Sequence, residues 1–346
     1  MPELIKRSKE LHGLDEACRV KIGGDHGQGY LKITAQNLNI ATNIIKFTLV
    51  LAVAPVNETI RNLYTLFEKL NLKTFPKDDD YGIAVDCKVL QMLYGQTGGK
   101  ASFPCTICLW EKSSGFIALP QEPRTLKHCE EMHAKLLADF NGNRNKSKFC
   151  YSIEAETIIK EEPYKVIKIP SLHLHLLVND AYKKLKKKVS LEQRAVLEEQ
   201  RKRAGVIESC YEGGTLQGNH AKKFVQAVAT NKIEVPIPEL RELFLAMDNL
   251  RHTCFGLERK EGAEEAVEDF VHCWEQAGMG VGVKAHMVQH HLIPNMLALP
   301  KPEALGVWSE QATESSHHAF KRVMEKYMGI KNGLLNGTIA FNSVRM

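Results

Sequence analysis

The stretch Arg19-Val20-Lys21-Ile22-Gly23-Gly24-Asp25-His26-Gly27-Gln28-Gly29-Tyr30-Leu31-Lys32-Ile33-Thr34 decides the fold class. Apolar and polar residues alternate on both sides of a glycine-rich middle. This predicts a strand, a tight turn and a second strand, with Asp25 at or near a strand end. Residues 47–52, rich in Val and Leu, predict a third strand. Over 57–70 the period changes, and Ile60, Leu63, Leu66, Phe67 and Leu70 recur at helical spacing. Pro76 and the run Asp78-Asp79-Asp80 mark a loop. Residues 82–85 then predict a short buried strand ending at Asp86, and 88–94 a helix.

The order strand, strand, strand, helix, strand, helix opens an RNase H-like fold, in which a mixed sheet collects carboxylates at neighbouring strand ends. Beyond Gly98 the pattern is mostly helical, with helices expected over 126–139, 172–188, 191–204, 220–229, 238–255 and 262–277. Lys and Arg are dense over 183–203. The chain returns through His286-Met287-Val288-Gln289-His290-His291, a connector carrying Pro294 and Pro300, and a final helix over about 309–326.

At 346 residues the chain exceeds one small core. Apolar content of 44% and charged content of 25% are those of an ordinary globular protein. The most apolar run, 44–56, is interrupted by Lys46 and Pro55 and falls short of the roughly 20 residues that span a bilayer, so no membrane anchor is expected. The charged N-terminus lacks the apolar segment of an export signal, which predicts a protein that stays inside the cell. Nine irregularly spaced cysteines argue for buried or metal-bound thiols rather than a disulfide framework. The net charge of +5 permits a polyanionic partner.

Asp25 and Asp86 each lie beside glycine or at a strand end, where a rigid sheet can hold an exposed carboxylate towards a hard cation. Glu314, on the final helix, would complete a two-cation site for phosphodiester chemistry. Singly, each acid is an ordinary turn or surface residue. The Asp78-Asp79-Asp80 run reads as a solvated turn with no strand to aim it, and Glu310 competes with Glu314 one helical turn away.

Cys105 and Cys108 have the spacing that lets two thiolates reach one Zn²⁺, although a redox pair or two buried thiols share that spacing. His286, His290 and His291 offer the remaining ligands. Such a zinc would pin the base of the helical insertion to the segment leading into Glu314. The basic residues of 183–188 and 201–203 either neutralise phosphates or form a solvated helix face. His317 and His318 follow Glu314 with no role that spacing decides.

At these residues the sequence resembles the catalytic core shared by Transib-type transposases and the V(D)J recombinase catalytic subunit. That family has a split RNase H-like domain, a CxxC zinc half-site after the second Asp, two distant histidines and a catalytic Glu on a late helix. The matching landmarks run over about residues 15–325. They are Gly24-Asp25 and its glycine turn, Asp86 with Cys105 and Cys108, Ile169-Pro170-Ser171, Gly218-Asn219, and Trp308-Ser309-Glu310 leading to Glu314. The stretch between Asp25 and Asp86 is shorter than in the recombinase subunit, and the gap from His291 to Glu314 is a few residues longer.

The resemblance implies Asp25, Asp86 and Glu314 as the catalytic ligands of Mg²⁺ or Mn²⁺. It implies Cys105, Cys108, His286 and His291 as ligands of a structural Zn²⁺, with His290 the rival for the last place. The expected class is thus α/β: an RNase H-like mixed sheet with a large, mostly helical, zinc-bound insertion between the second and third acids. Residues 1–98 form the first part of the core, 99–285 the insertion with one zinc half-site, and 286–346 the other half-site and the return to the core. The implied activity is DNA strand cleavage and transfer in the nucleus by a homodimer. The family's DNA-binding and dimerisation regions precede the first Asp, where this chain has barely twenty residues. The expectation is therefore an N-terminally truncated, transposon-derived chain, with a non-catalytic DNA- or protein-binding module as the alternative.

Overall fold

The computed structural model describes residues 18–27, 29–39, 48–75, 80–98, 101–117, 119, 121–209, 214–216, 218–310, 313 and 322. Contacts divide the chain into two compact units: one comprises the described residues within 1–114, 119–170 and 307–346, the other those within 115–118 and 171–306.

The first unit is built on one mixed sheet. β1 (Arg19–Gly27), β2 (Tyr30–Asn37), β3 (Thr48–Ala54) and β4 (Asp80–Ile83) lie in the order β3-β2-β1-β4. β1 and β2 form the expected hairpin, Gly27 opposite Tyr30, and Gly29 takes a φ of 79° that a missing Cβ makes inexpensive. β3 is antiparallel to β2, and β4 is parallel to β1 with Ile22 opposite Ile83. A parallel bridge from Ile83 to Ile167 adds extended chain beyond β4.

Side chains alternate along a strand, so the sheet has two distinct faces. One carries Val20, Ile22, Leu31 and Ile33, all buried as the alternation requires. The other carries Lys21, Lys32, Thr34 and Gln36, and these are buried too. A buried polar row must be hydrogen-bonded, and the cover supplies partners. Lys21 Nζ donates to Ser309 O at 2.9 Å, and the Thr34 and Thr313 hydroxyls share a bond of 3.1 Å. Trp308 lies across Gly82, where any Cβ would collide with the indole, and its ring meets Lys168 at 4.7 Å and Arg19 at 5.5 Å.

Asp80 is exposed, as expected of a solvated acid, but the reading that no strand carries it is corrected. It opens β4 and pairs with Arg19 at 3.5 Å, because the strand begins two residues before the apolar run does. Asp78 and Asp79 lie outside the described residues. α1 (Ile60–Lys69) and α2 (Cys87–Leu93) start at side-chain caps, Thr59 accepting from Asn62 N and Asp86 from Val89 N. Downstream follow α3 (Leu126–Phe140), a 3₁₀ helix (Arg144–Cys150) and the short α4 (Pro163–Val166).

The second unit is helical: α5 (Ser171–His175), α6 (Val178–Lys188), α7 (Leu191–Arg203), α8 (Asn219–Ala229), α9 (Pro238–Cys254), α10 (Ala263–Gln276), α11 (Val283–His290) and α12 (Leu292–Leu297). Its core includes Phe224, whose ring meets Tyr182 and Phe244 edge-on at 5.0 Å each. The single helix expected over 172–188 is two. Leu174, Leu177 and Val178 are all buried, so the apolar period runs through the break without marking it. Asn179 anchors the start of α6 by holding both backbone groups of Leu216, at 2.8 and 2.7 Å. No helix among the described residues is long and apolar enough to cross a membrane.

Candidate metal centres

Asp25 lies on β1, two residues before its end, and Asp86 lies three residues past the end of the neighbouring β4. Beyond the paired Ile22 and Ile83, Ala84 N donates to Ile22 O at 2.9 Å, and the position of a Gly24 Cβ lies 3.5 Å from Val85 Cγ1. The two chains therefore stay adjacent as far as Gly24 and Val85, each one residue short of Asp25 and Asp86. Asp25 is half-buried and shares its face of β1 with Lys21 and Gly23. A Cβ on Gly23 would strike the hydroxyls of Thr34 and Thr313. Glycine is needed here for that close approach, which seats Thr313 two residues from Asp25 along the strand. Glu314, the next residue, lies outside the described residues, as do His317 and His318.

Asp86 also has an ordinary structural task. Its backbone is extended (φ −63°, ψ 162°) and its Oδ1 accepts from Val89 N at 2.6 Å as the N-cap of α2. A cap occupies one oxygen, so the second is still compatible with a cation. Glu310, the rival of Glu314, is buried and faces Lys21. Burial pushes the Lys21 ammonium down to about 8, and the Glu310 charge opposes that shift.

Cys105, Cys108, His286 and His291 each present one ligand atom, and all four atoms lie within 4.8 Å of one another. Two thiols and two imidazoles are a donor set that tetrahedral zinc takes, with bonds of about 2.0–2.3 Å. This cluster could hold a metal such as zinc. His286 reaches it from α11 and His291 from the residue that caps that helix. His290, whose ring centroid is 5.1 Å from that of His286, is outside the group of four. A hydrogen bond with Cys105 and burial both push the Cys108 thiol up. The pair is therefore poorly suited to a bare thiolate, and a cation would reverse that balance.

The thiol loop is held from behind by buried polar side chains that spacing did not reveal. Arg124, 0% exposed, donates from Nε to Cys105 O at 3.0 Å, from Nη1 to Tyr151 O at 3.3 Å and from Nη2 to Phe103 O at 3.4 Å. Gln96 Nε2 reaches Cys105 O at 3.1 Å, and Gln91 Nε2 reaches Pro104 O at 2.7 Å. Gln91 lies on α2, the helix that Asp86 caps, so one short helix ties the second acid to the thiol loop. A lone Arg or Gln carries no signal of this kind in sequence; only the fold brings carbonyls to it. We expect Arg124→Met, which keeps bulk and removes the donors, to weaken zinc affinity about tenfold in chelator competition. Stability should fall by about 1 kcal/mol in urea unfolding, because the part-buried bond to Tyr151 O is lost.

The basic stretch is partly accounted for inside the second unit. Lys186, with a side chain 9% exposed, pairs with Glu208 and donates to Gly214 O at 2.9 Å. Lys184 donates to Gly278 O, and Arg201 to Val206 O at 2.7 Å. Of the two readings of this stretch, phosphate contact or a solvated helix face, neither describes Lys186 and Arg201, which are largely enclosed with partners inside the fold. Lys187, Lys188 and Lys202 remain exposed.

Comparison with protein-family models and with curated proteins finds no match to this chain.

Proposed function

We propose that the chain is the catalytic core of a DDE-type DNA transposase or recombinase, built on an RNase H-like sheet with a zinc-bound helical insertion. The observation that carries this reading is the parallel pairing of β1 with β4, Ile22 opposite Ile83, from which Asp25 and Asp86 each lie three residues further along the chain. Two further features support it. The strand order β3-β2-β1-β4, with the Ile167 bridge outside β4, is the order such a sheet would have. Thr313, seated against Gly23, meets β1 two residues from Asp25.

On this reading Asp25, Asp86 and Glu314 hold Mg²⁺ or Mn²⁺, and Cys105, Cys108, His286 and His291 hold Zn²⁺. Bound divalent ions would supply activation of an attacking water or 3′-hydroxyl and stabilisation of the leaving oxygen. The strand backbone fixes Asp25, and α2 fixes Asp86 through its cap, so neither acid needs to reorganise when charge develops at the phosphate. The partner is DNA, the working unit a homodimer and the location the nucleus.

A second reading, a non-catalytic binding module, is favoured by one observation: Asp86 already has a structural use as the cap of α2. Conversion of supercoiled plasmid to open circle by the purified chain separates the two. Nicking that needs Mg²⁺ or Mn²⁺ is expected; DNA binding with no nicking in either cation would leave the binding module.

A further inference from the structure

We propose that the outer face of the 3₁₀ helix Arg144–Cys150 binds an unpaired nucleic-acid strand, with a base stacked on Phe149 and phosphates held by Arg144, Lys146 and Lys148. This surface contains none of the acids or metal ligands above, and the proposal does not depend on strand cleavage.

The segment has a fixed inner side and a charged, aromatic outer side. Inside, Ser147 and Cys150 are buried, and the Ser147 hydroxyl bonds Thr97 Oγ1 at 3.0 Å. Tyr151, the residue that ends the helix, packs its ring against Phe103 at 4.7 Å and His128 at 4.9 Å. Asn143 caps the other end, accepting from Asn145 N at 3.1 Å. The outer side is therefore presented from a rigid base.

Outside, Phe149 is 50% exposed and stacks one face on Phe140 at 5.8 Å, with Leu137 of α3 also 53% exposed nearby. Lys148 Nζ lies 4.9 Å and Lys146 Nζ 5.9 Å from the Phe149 ring centre. Among the described residues none of Arg144, Lys146 and Lys148 has an acidic partner, in contrast to Lys186. Asp139 is the single acid of the stretch 135–149, against Lys135 and these three cations.

An exposed ring ringed by unpaired cations suits a polyanion that also carries flat apolar groups. In a duplex the base faces are already stacked, so the fit is to a single strand. DNA and RNA share this chemistry and are separated by the probe.

The test is fluorescence anisotropy with labelled 20-mers of oligo(dT), oligo(U) and a duplex, without added divalent cation. Expected are preference for single strands and about tenfold weaker binding for Phe149→Ala. Phe149→Tyr should bind like the parent. Lys146→Gln with Lys148→Gln should flatten the salt slope by about 1.4. Equal binding by Phe149→Ala, full binding by Phe149→Leu, or preference for duplex would overturn the proposal; the Leu result would point to an apolar protein partner. Should the Ala variant misfold, photocrosslinking of 5-iodouracil-containing oligo(dT) to the parent decides, with adducts expected on the Phe149 peptide. Adducts only elsewhere would overturn the assignment. Strand cleavage is read in a separate plasmid assay, so its absence would leave these binding values to stand on their own.

Discussion

Cys105→Ser is expected to strip zinc from the protein and lower its thermal unfolding midpoint by about 10 °C. The cluster of Cys105, Cys108, His286 and His291 has three fully or nearly fully buried members. A metal that binds only the folded chain, at a free concentration about a thousandfold above its dissociation constant, contributes roughly 4 kcal/mol. For a unit of this size each kcal/mol moves the midpoint by about 2–4 °C. Elemental analysis should find one zinc per parent chain and well under half of that in Cys105→Ser. Chelation of the parent should reproduce the same shift, and chelation of the variant should add little. His290→Asn should keep its zinc, since His290 stands outside the group. An unchanged metal content in Cys105→Ser would remove zinc from the account and leave two buried thiols.

Which parts of this arrangement were legible in advance follows a physical rule. Features written in local periodicity were readable: the alternation around Gly23-Gly24, the helical spacing of Leu63 and Phe67, and the thiol spacing of Cys105 and Cys108. The two histidines were readable only through a family resemblance, because 178 residues separate Cys108 from His286. Features that depend on who arrives from elsewhere were not readable. Burial of 82–85 was visible, but pairing was not: Ala84 and Val85 are buried yet lie past the ladder, while Asp80 is polar and lies within it. Lys186 looked like its neighbours because Glu208, 22 residues away, leaves no trace in the run of lysines. The polar face of the sheet was hidden for the same reason. A buried Lys21 makes sense only once Ser309 and Glu310 lie over it.

Asp86→Asn is expected to abolish metal-dependent nicking, by about a thousandfold or more, while leaving folding nearly untouched. The substitution is chosen for its asymmetry. Asn caps a helix about as well as Asp, so the bond to Val89 N and the start of α2 survive, and urea stability should change by less than about 0.5 kcal/mol. What Asn lacks is the charge that a hard cation requires. Losing about 4 kcal/mol of transition-state stabilisation corresponds to roughly a thousandfold in rate. Asp86→Ala removes both functions and should cost about 1 kcal/mol of stability in addition. Asp25→Asn and Glu314→Gln should match Asp86→Asn in activity, and each should lower the number of Mn²⁺ ions bound in calorimetric titration. Glu310→Gln should retain Mn²⁺, because the resemblance assigns the third ligand to Glu314. A chain in which Asp86→Asn nicks DNA and binds Mn²⁺ like the parent would show that Asp86 is a helix cap and nothing more. The parallel pairing of β1 with β4 would then be a property of the sheet alone.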